Sequence, residues 1–272
     1  MLYGGTQNRR ITIKDLLEAK VNGQKWPMIT CYDAMTAGIF DEAGFPVLLV
    51  GDSAAMVVYG YDSTIPVTVE DMLPLVAAVE RGSKRALIVA DLPFGSYQTS
   101  AAQALETATV FMKRANAHAV KIEGGQSVVE QVKALTQTGI AVMGHIGLTP
   151  QSVHGMGGYR VQGRGEQAEA LIADALALQD AGAFALVLEV VPSELAKQIS
   201  ELLTIPTIGI GAGKGTDAQV IVWQDLLGLG SGKPAKFVKQ YANLRSEISS
   251  AVNSWAQDVI TGEYPDDQHS YN

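Results

Sequence analysis

A (β/α)8 barrel in a single domain, an α/β fold, is the class that the sequence predicts. Eight short apolar runs rich in β-branched residues alternate with longer stretches of helical pattern. The interiors of the runs are apolar rather than strictly alternating, as parallel strands covered on both faces require. No linker-like stretch breaks the rhythm before residue 230. A doubly wound sheet would alternate in the same way, and periodicity by itself does not separate the two. The 272 residues suit one domain of barrel size, since such barrels commonly run to about 250 residues.

The strands are expected at PMITCYD (27–33), PVLLVGDS (46–53), ALIVADLPF (86–94), HAVKIEG (118–124), IAVMGHIGL (140–148), FALVLEVVP (184–192), TIGIGAG (207–213) and within VIVWQDLLGL (220–229). Helices are expected over 68–82, 100–116, 127–139, 166–182 and 192–203. The first of these opens with Thr68 as a cap and carries Glu70 and Asp71 in its first turn, where the helix dipole favours acids. Pro74 in the same stretch predicts a kink or a broken first turn. Several of the helices end in Gly, a common stop. Residues 1–11 form a short extension. From about 237 to 272 the chain reads as one more helix, ending in the polar GEYPDDQHSYN, which is expected to fray.

Composition narrows the function. The hydrophobic share of 47% suffices for a sizeable core, and the net charge is −8 with no basic stripe. Nucleic acid is therefore not an expected partner. A single cysteine, Cys31, excludes an intrachain disulfide and a thiolate metal cluster, and a packed core thiol at the end of the first strand is its expected role. The chain start lacks an apolar signal core, and no apolar run reaches the roughly 18 residues that span a bilayer. A cytoplasmic protein without a membrane partner is expected.

In a barrel, chemistry gathers at the C-terminal ends of the strands. The second strand ends in Asp52 and Ser53, the third in Asp91, the fourth in Lys121 and Glu123, and the fifth in His145; the sixth carries Glu189. Strand-end acids also serve as helix caps or as partners of a lysine, but a run of them on successive strands needs a common cause. Carboxylates gathered at one rim repel one another, and a divalent cation removes that repulsion. Oxygen donors without cysteine favour Mg²⁺ over Zn²⁺, so Asp52, Asp91 and Glu123 are assigned to a metal. Lys121 then holds an anionic substrate beside it. Glu189, within the apolar ALVLEVVP, would cost several kcal/mol as an unpaired charge. An apolar setting raises a carboxylate's proton affinity and suits it to proton abstraction beside a carbonyl, with the metal stabilising the enolate. His118 and His154 read as structural or loop-borne. GIGAGKG (209–215) matches no phosphate-binding pattern. The long loop 145–165 reads as a lid or an oligomer contact.

Taken in order, VGDS with GYDSTIPVTVEDM, VADLPFGSY, VKIEGG, GHIGLTPQSVHGMGGYRVQGR, LVLEVVP and IGIGAG resemble the ketopantoate hydroxymethyltransferase family, from about Thr12 to Lys239. The resemblance implies a (β/α)8 barrel, dependence on one Mg²⁺ per subunit, and a ring-like homo-oligomer, a decamer. It implies transfer of a one-carbon unit from 5,10-methylenetetrahydrofolate to 3-methyl-2-oxobutanoate, giving 2-dehydropantoate in pantothenate synthesis. Asp52, Asp91 and Glu123 match the family's metal site, the last directly or through water. Asp52, Ser53, Asp91 and Lys121 match groups around the keto acid, and His145 is placed with them by its rim position. Glu189 matches the general base. The folate is expected near the 145–165 loop. Ala54 and Ala55 depart from the family's Leu-Gly, and Val190 from its Cys; these changes bear on pocket shape. A lyase of the phosphoenolpyruvate mutase and isocitrate lyase kind is the competing reading on the same scaffold, but many of those rely on a loop cysteine that this chain lacks.

Overall fold

A computed structural model describes residues 9–271. Residues 1–8 of the expected extension and Asn272 of the expected tail lie outside them. Eight strands follow one another as β1 (Trp26–Thr30), β2 (Val47–Val50), β3 (Leu87–Asp91), β4 (Ala119–Glu123), β5 (Val142–Gly147), β6 (Ala185–Glu189), β7 (Thr207–Ile210) and β8 (Ala218–Ile221). Every neighbouring pair is parallel, and β8 pairs back onto β1 through Met28 opposite Val220, which closes the barrel. That closure decides between the two arrangements the alternation left open.

The helices are α1 (Ile13–Val21), α2 (Ala34–Glu42), α3 (Ala54–Val57), α4 (Val69–Gly82), α5 (Ala101–Ala115), α6 (Val129–Gln137), α7 (Gln167–Asp180), α8 (Ser193–Leu202), α9 (Trp223–Leu226) and α10 (Leu244–Thr261). Thr68 caps α4 as expected, accepting from the Asp71 amide at 3.2 Å. The expected break at Pro74 does not occur: α4 runs unbroken through it to Gly82. The eighth strand was expected within 220–229; it ends at Ile221, and α9 takes the next turn. Asp33 starts α2 by accepting from the amides of Met35 and Thr36 at 2.8 and 2.9 Å.

Apolar side chains two apart along the strands build the barrel interior. Met28, Val47, Leu49, Leu87, Val89, Ala119, Met143, Ala185, Val187, Ile208, Ala218 and Val220 form one buried cluster. Because residues two apart share a strand face, each inward-facing row continues towards the C-terminal rim with whatever residue follows.

The glycine-rich 209–215 stretch packs against its own chain. A side chain at Gly213 would bring its Cβ within 2.5 Å of the Cβ of Ser193 at the start of α8. Close backbone approach to a helix accounts for this glycine.

The chain divides into two compact units, the second beginning at Trp223. Within it, α10 starts at Leu244 rather than near 237, capped by Asn243, whose side chain accepts from the Ser246 amide. The polar tail holds a 3₁₀ turn at Asp267–His269, with Asp266 accepting from the amides of Gln268 and His269. No helix of the described residues is long and apolar enough to cross a membrane.

His118 makes a structural hydrogen bond, and acid sensitivity of the fold is expected from it. Its Nδ1 accepts from the Ile88 amide at 3.0 Å, a bond that needs an unprotonated nitrogen. Burial, and then the Arg10 guanidinium, push the ring down to about 4 from an ordinary 6.5, with Glu80 opposing. As pH falls below 6.5 the unfolded chain takes up a proton that the folded chain refuses, so stability present above 6.5 is lost progressively down to about 4. His118→Asn keeps an acceptor without the titration. Its melting temperature, followed from pH 7 to pH 4, is expected to fall less steeply than that of the unsubstituted chain, by up to about one proton of linkage. Parallel curves would remove His118 as a source of acid sensitivity.

Candidate active site

The charged residues sit where the inward-facing rows of the barrel end. Asp91 follows Leu87 and Val89 on β3; Lys121 and Glu123 follow Ala119 on β4; His145 follows Met143 on β5; Glu189 follows Ala185 and Val187 on β6. The register carries them side by side, with Asp91 opposite Lys121 and Glu123 opposite His145. Asp52 and Ser53 join from the turn between β2 and α3, and the Asp52 amide donates to Oδ2 of Asp91 at 3.2 Å.

Asp52, Asp91 and Glu123 each bring a carboxylate oxygen to within 4.8 Å of the others. Burial, and then repulsion from Asp91 and Glu123, push the Asp52 carboxyl well up from the ordinary carboxylate range. Burial likewise raises Asp91, although the Lys121 ammonium works against it. Glu123 is lowered: burial opposes this, and the positive charges of His145 and Lys121 outweigh it. Lys121 donates to both oxygens of Asp91 at 2.7 Å and lies 3.6 Å from Oε1 of Glu123. Burial pulls the ammonium down, but Asp91, Glu123 and Asp52 together hold it above its ordinary value. One lysine cannot neutralise three carboxylates.

His145 stands between two acids. Its Nδ1 is 3.2 Å from Oε1 of Glu123 and its Nε2 is 3.3 Å from Oε2 of Glu189. These are ion-pair distances without hydrogen-bond alignment, so both ring nitrogens and Glu123 Oε1 are buried without a hydrogen bond. Burial and Lys121 act to lower the ring, and the carboxylates of Glu123 and Glu189 outweigh them, raising it to about 9.

Glu189 departs from its expected setting. It is the last residue of β6 rather than the middle of an apolar strand, its side chain keeps 16% of its surface exposed, and its nearest charged neighbour is His145. Two backbone features fix the place. Gly147 has φ +93°, and a Cβ there would lie 2.3 Å from the Glu189 carbonyl oxygen, so only glycine lets β5 approach β6 so closely. Val190 takes φ +50°, a strained conformation for a β-branched residue. It is held by its own amide donating to Ile210 O at 2.8 Å and by the Gln162 amide donating to its carbonyl at 3.0 Å.

Ser53 lies beside the cluster, and its hydroxyl pairs with the Tyr32 hydroxyl at 2.9 Å. Cys31 is buried just beyond β1, its Sγ 3.3 Å from Oγ1 of Thr36. Burial pushes its thiol up to about 11, as a packed core thiol requires.

The sequence model of the ketopantoate hydroxymethyltransferase family matches residues 10–267. The chain belongs to this family. It is an enzyme, a hydroxymethyltransferase of pantothenate synthesis. The 3-methyl-2-oxobutanoate hydroxymethyltransferase of Thermobifida fusca is 64% identical over 99% of this chain and 96% of its own length. That of Streptomyces coelicolor is 59% identical over 99% of this chain and 92% of its own. Among solved structures, phosphonopyruvate hydrolase aligns over 96% of this chain and 91% of its own with TM-score 0.62 at 12% identity. A 2,3-dimethylmalate lyase of the phosphoenolpyruvate mutase and isocitrate lyase superfamily aligns over 95% and 91% with TM-score 0.59 at 18% identity. Such low identity shows a common barrel scaffold and no more, so the competing lyase reading gains only the fold from it.

Two members of this hydroxymethyltransferase's site escaped the sequence reading. Tyr97 donates from its buried hydroxyl to Oε1 of Gln151 at 2.7 Å and accepts from the Glu123 amide at 3.2 Å. Gln151 reaches Asp52. Both come from loops, where no periodicity marks an inward face. The only available signal was position, Tyr97 closing the VADLPFGSY motif and Gln151 following Pro150 early in the long loop.

Proposed function

We propose that the chain transfers the one-carbon unit of 5,10-methylenetetrahydrofolate to 3-methyl-2-oxobutanoate, giving 2-dehydropantoate, with Mg²⁺ held by Asp52, Asp91 and Glu123 and with Glu189 as the general base. The observation that carries this reading is the inward row that places Glu189, His145, Glu123, Lys121 and Asp91 side by side at one rim. The donor set suits the ion. Three carboxylates converge within 4.8 Å, all donors are oxygen, and Glu123 Oε1 is buried without a hydrogen bond. Bound there, the cation would supply Lewis-acid charge that offsets the negative charge left on the keto acid by proton loss.

The chain's own residues do the rest. Lys121 has three N–H donors and gives two of them to Asp91; the third meets the substrate carboxylate. His145, within ion-pair distance of Glu189 Oε2, positions that carboxylate. Glu189 takes the C3 proton, and C3 forms the new carbon–carbon bond to the folate's methylene carbon as the first of that carbon's two bonds to folate nitrogen breaks. Water supplies the hydroxyl as the second carbon–nitrogen bond breaks, and the two freed nitrogens take up the proton held by Glu189 and one from the water. Tyr159, 58% exposed on the 145–165 loop, stands on the side where the folate is expected.

The test is proton NMR of 3-methyl-2-oxobutanoate in D₂O with the protein, with Mg²⁺ and then EDTA, before any folate is added. Loss of the C3 proton signal is expected with Mg²⁺ and not with EDTA. No exchange in either, and no turnover once methylenetetrahydrofolate is present, would remove this mechanism.

The same reading includes a cytoplasmic location and one barrel domain with a C-terminal helix. It also includes a homodecamer, with a sedimenting mass of about ten times that of the 28.8 kDa chain. A monomer at working concentration would remove the decamer. Family membership and the single cysteine support these statements.

A further inference from the structure

We infer that Gln151 is a positioning residue that orients Asp52 and Glu123 together for a divalent cation; this rests on the reading of Asp52, Asp91 and Glu123 as a cation site. Gln151 lies in the 3₁₀ turn Pro150–Ser152 that opens the long loop after β5, and it is 3% exposed. Its Nε2 donates to Oδ2 of Asp52 and to the Leu92 carbonyl, both at 2.9 Å. Its Oε1 accepts from the Tyr97 hydroxyl at 2.7 Å and from Nε2 of Gln98 at 3.2 Å. Its own amide donates to Oε2 of Glu123 at 3.1 Å.

The side-chain amide is thus fully used, two donors and two acceptor lone pairs. It cannot be flipped, because a carbonyl and a carboxylate on the Nε2 side accept only. The bonds reach one oxygen of Asp52, in the turn after β2, and one of Glu123, at the end of β4. With Oε2 of Glu123 held, Oε1 is buried without a hydrogen bond, within ion-pair distance of His145 and Lys121, and can turn to a hard cation. The donor is also neutral. A lysine or arginine side chain donating to the same Asp52 oxygen would cancel the negative charge that attracts the ion. Gln151 fixes the geometry and leaves the charge untouched.

The test is Mn²⁺ binding to the intact chain, followed by the EPR signal of free Mn²⁺, alongside thermal unfolding in EDTA. Gln151→Met keeps the length and the backbone bond to Glu123 and removes the side-chain amide that holds Asp52. Its Mn²⁺ affinity is expected to fall by about 10–100-fold, the usual effect of losing a group that orients metal ligands. Gln98→Ala removes only the outer partner of the same amide and is expected to stay within about twofold, since exposed single contacts contribute little. Asp52→Asn tests the underlying site and is expected to abolish tight binding. If Gln151→Met binds like the unsubstituted chain while Asp52→Asn does not bind, the role of Gln151 is overturned and the cation site stands. If the unsubstituted chain binds no Mn²⁺, or Asp52→Asn binds as well as it does, both readings fall. Should Gln151→Met not fold, Gln151→Asn keeps an amide one methylene shorter and withdraws the donor from Asp52, and an unchanged affinity there would overturn the inference equally.

Discussion

Glu189→Gln is expected to abolish exchange of the C3 proton of 3-methyl-2-oxobutanoate while leaving Mn²⁺ affinity within a few-fold of the unsubstituted chain. The amide occupies the same space at the end of β6 but offers no base. The loss should be about 10²–10⁴-fold, the usual contribution of a positioned general base. The cation site should survive because Glu189 is joined to Glu123 only across His145. Proton NMR in D₂O measures the exchange, and EPR titration measures the binding. Exchange at the unsubstituted rate would end the assignment of Glu189. Loss of Mn²⁺ binding as well would instead make Glu189 part of the cation site.

The second large effect concerns stability. Lys121→Met should strongly destabilise the chain in EDTA, because it leaves buried Asp91, Asp52 and Glu123 without the ammonium that offsets them. Breaking a buried pair from one side costs about 3–5 kcal/mol, a fall in melting temperature on the order of 10 °C for a chain of this size. Mg²⁺ should return much of that loss, since any ligand of the folded state alone adds stability. The Mg²⁺-dependent rise in melting temperature is therefore expected to be larger in Lys121→Met than in the unsubstituted chain. Equal melting temperatures in EDTA would mean that the carboxylates relax without their partner. Equal Mg²⁺-dependent rises would mean that lysine and cation do not share the same charges.

Several features could be read directly because they follow local rules. Period-two alternation puts Lys121 and Glu123 on the face of Ala119, and the same rule carries Asp91, His145 and Glu189 inward. Thr68 and Asp71 announce the start of α4 through side chain–backbone bonding that spans only three residues. Other features failed where a local rule met tertiary context. Pro74 promised a break, yet the helix, with Met72, Leu73, Val76 and Val79 buried around it, runs on. The strand-end rim expected for Glu189 carried no hint of its partner there, His145.

By itself the sequence determined the strand–helix rhythm, the charged residues that end the strands, and the family, because each depends on residue type and short spacing along the chain. Only the tertiary structure decided that the sheet closes, through β8 on β1, and that Gln151 and Tyr97 secure two of the carboxylates. It alone also decided that Val190 bends with positive φ beside Glu189. Closure and the polar network join residues far apart in the chain, Gln151 and Asp52 among them, and no local preference encodes such a meeting. It arises when packing removes water and every buried donor and acceptor must find its partner.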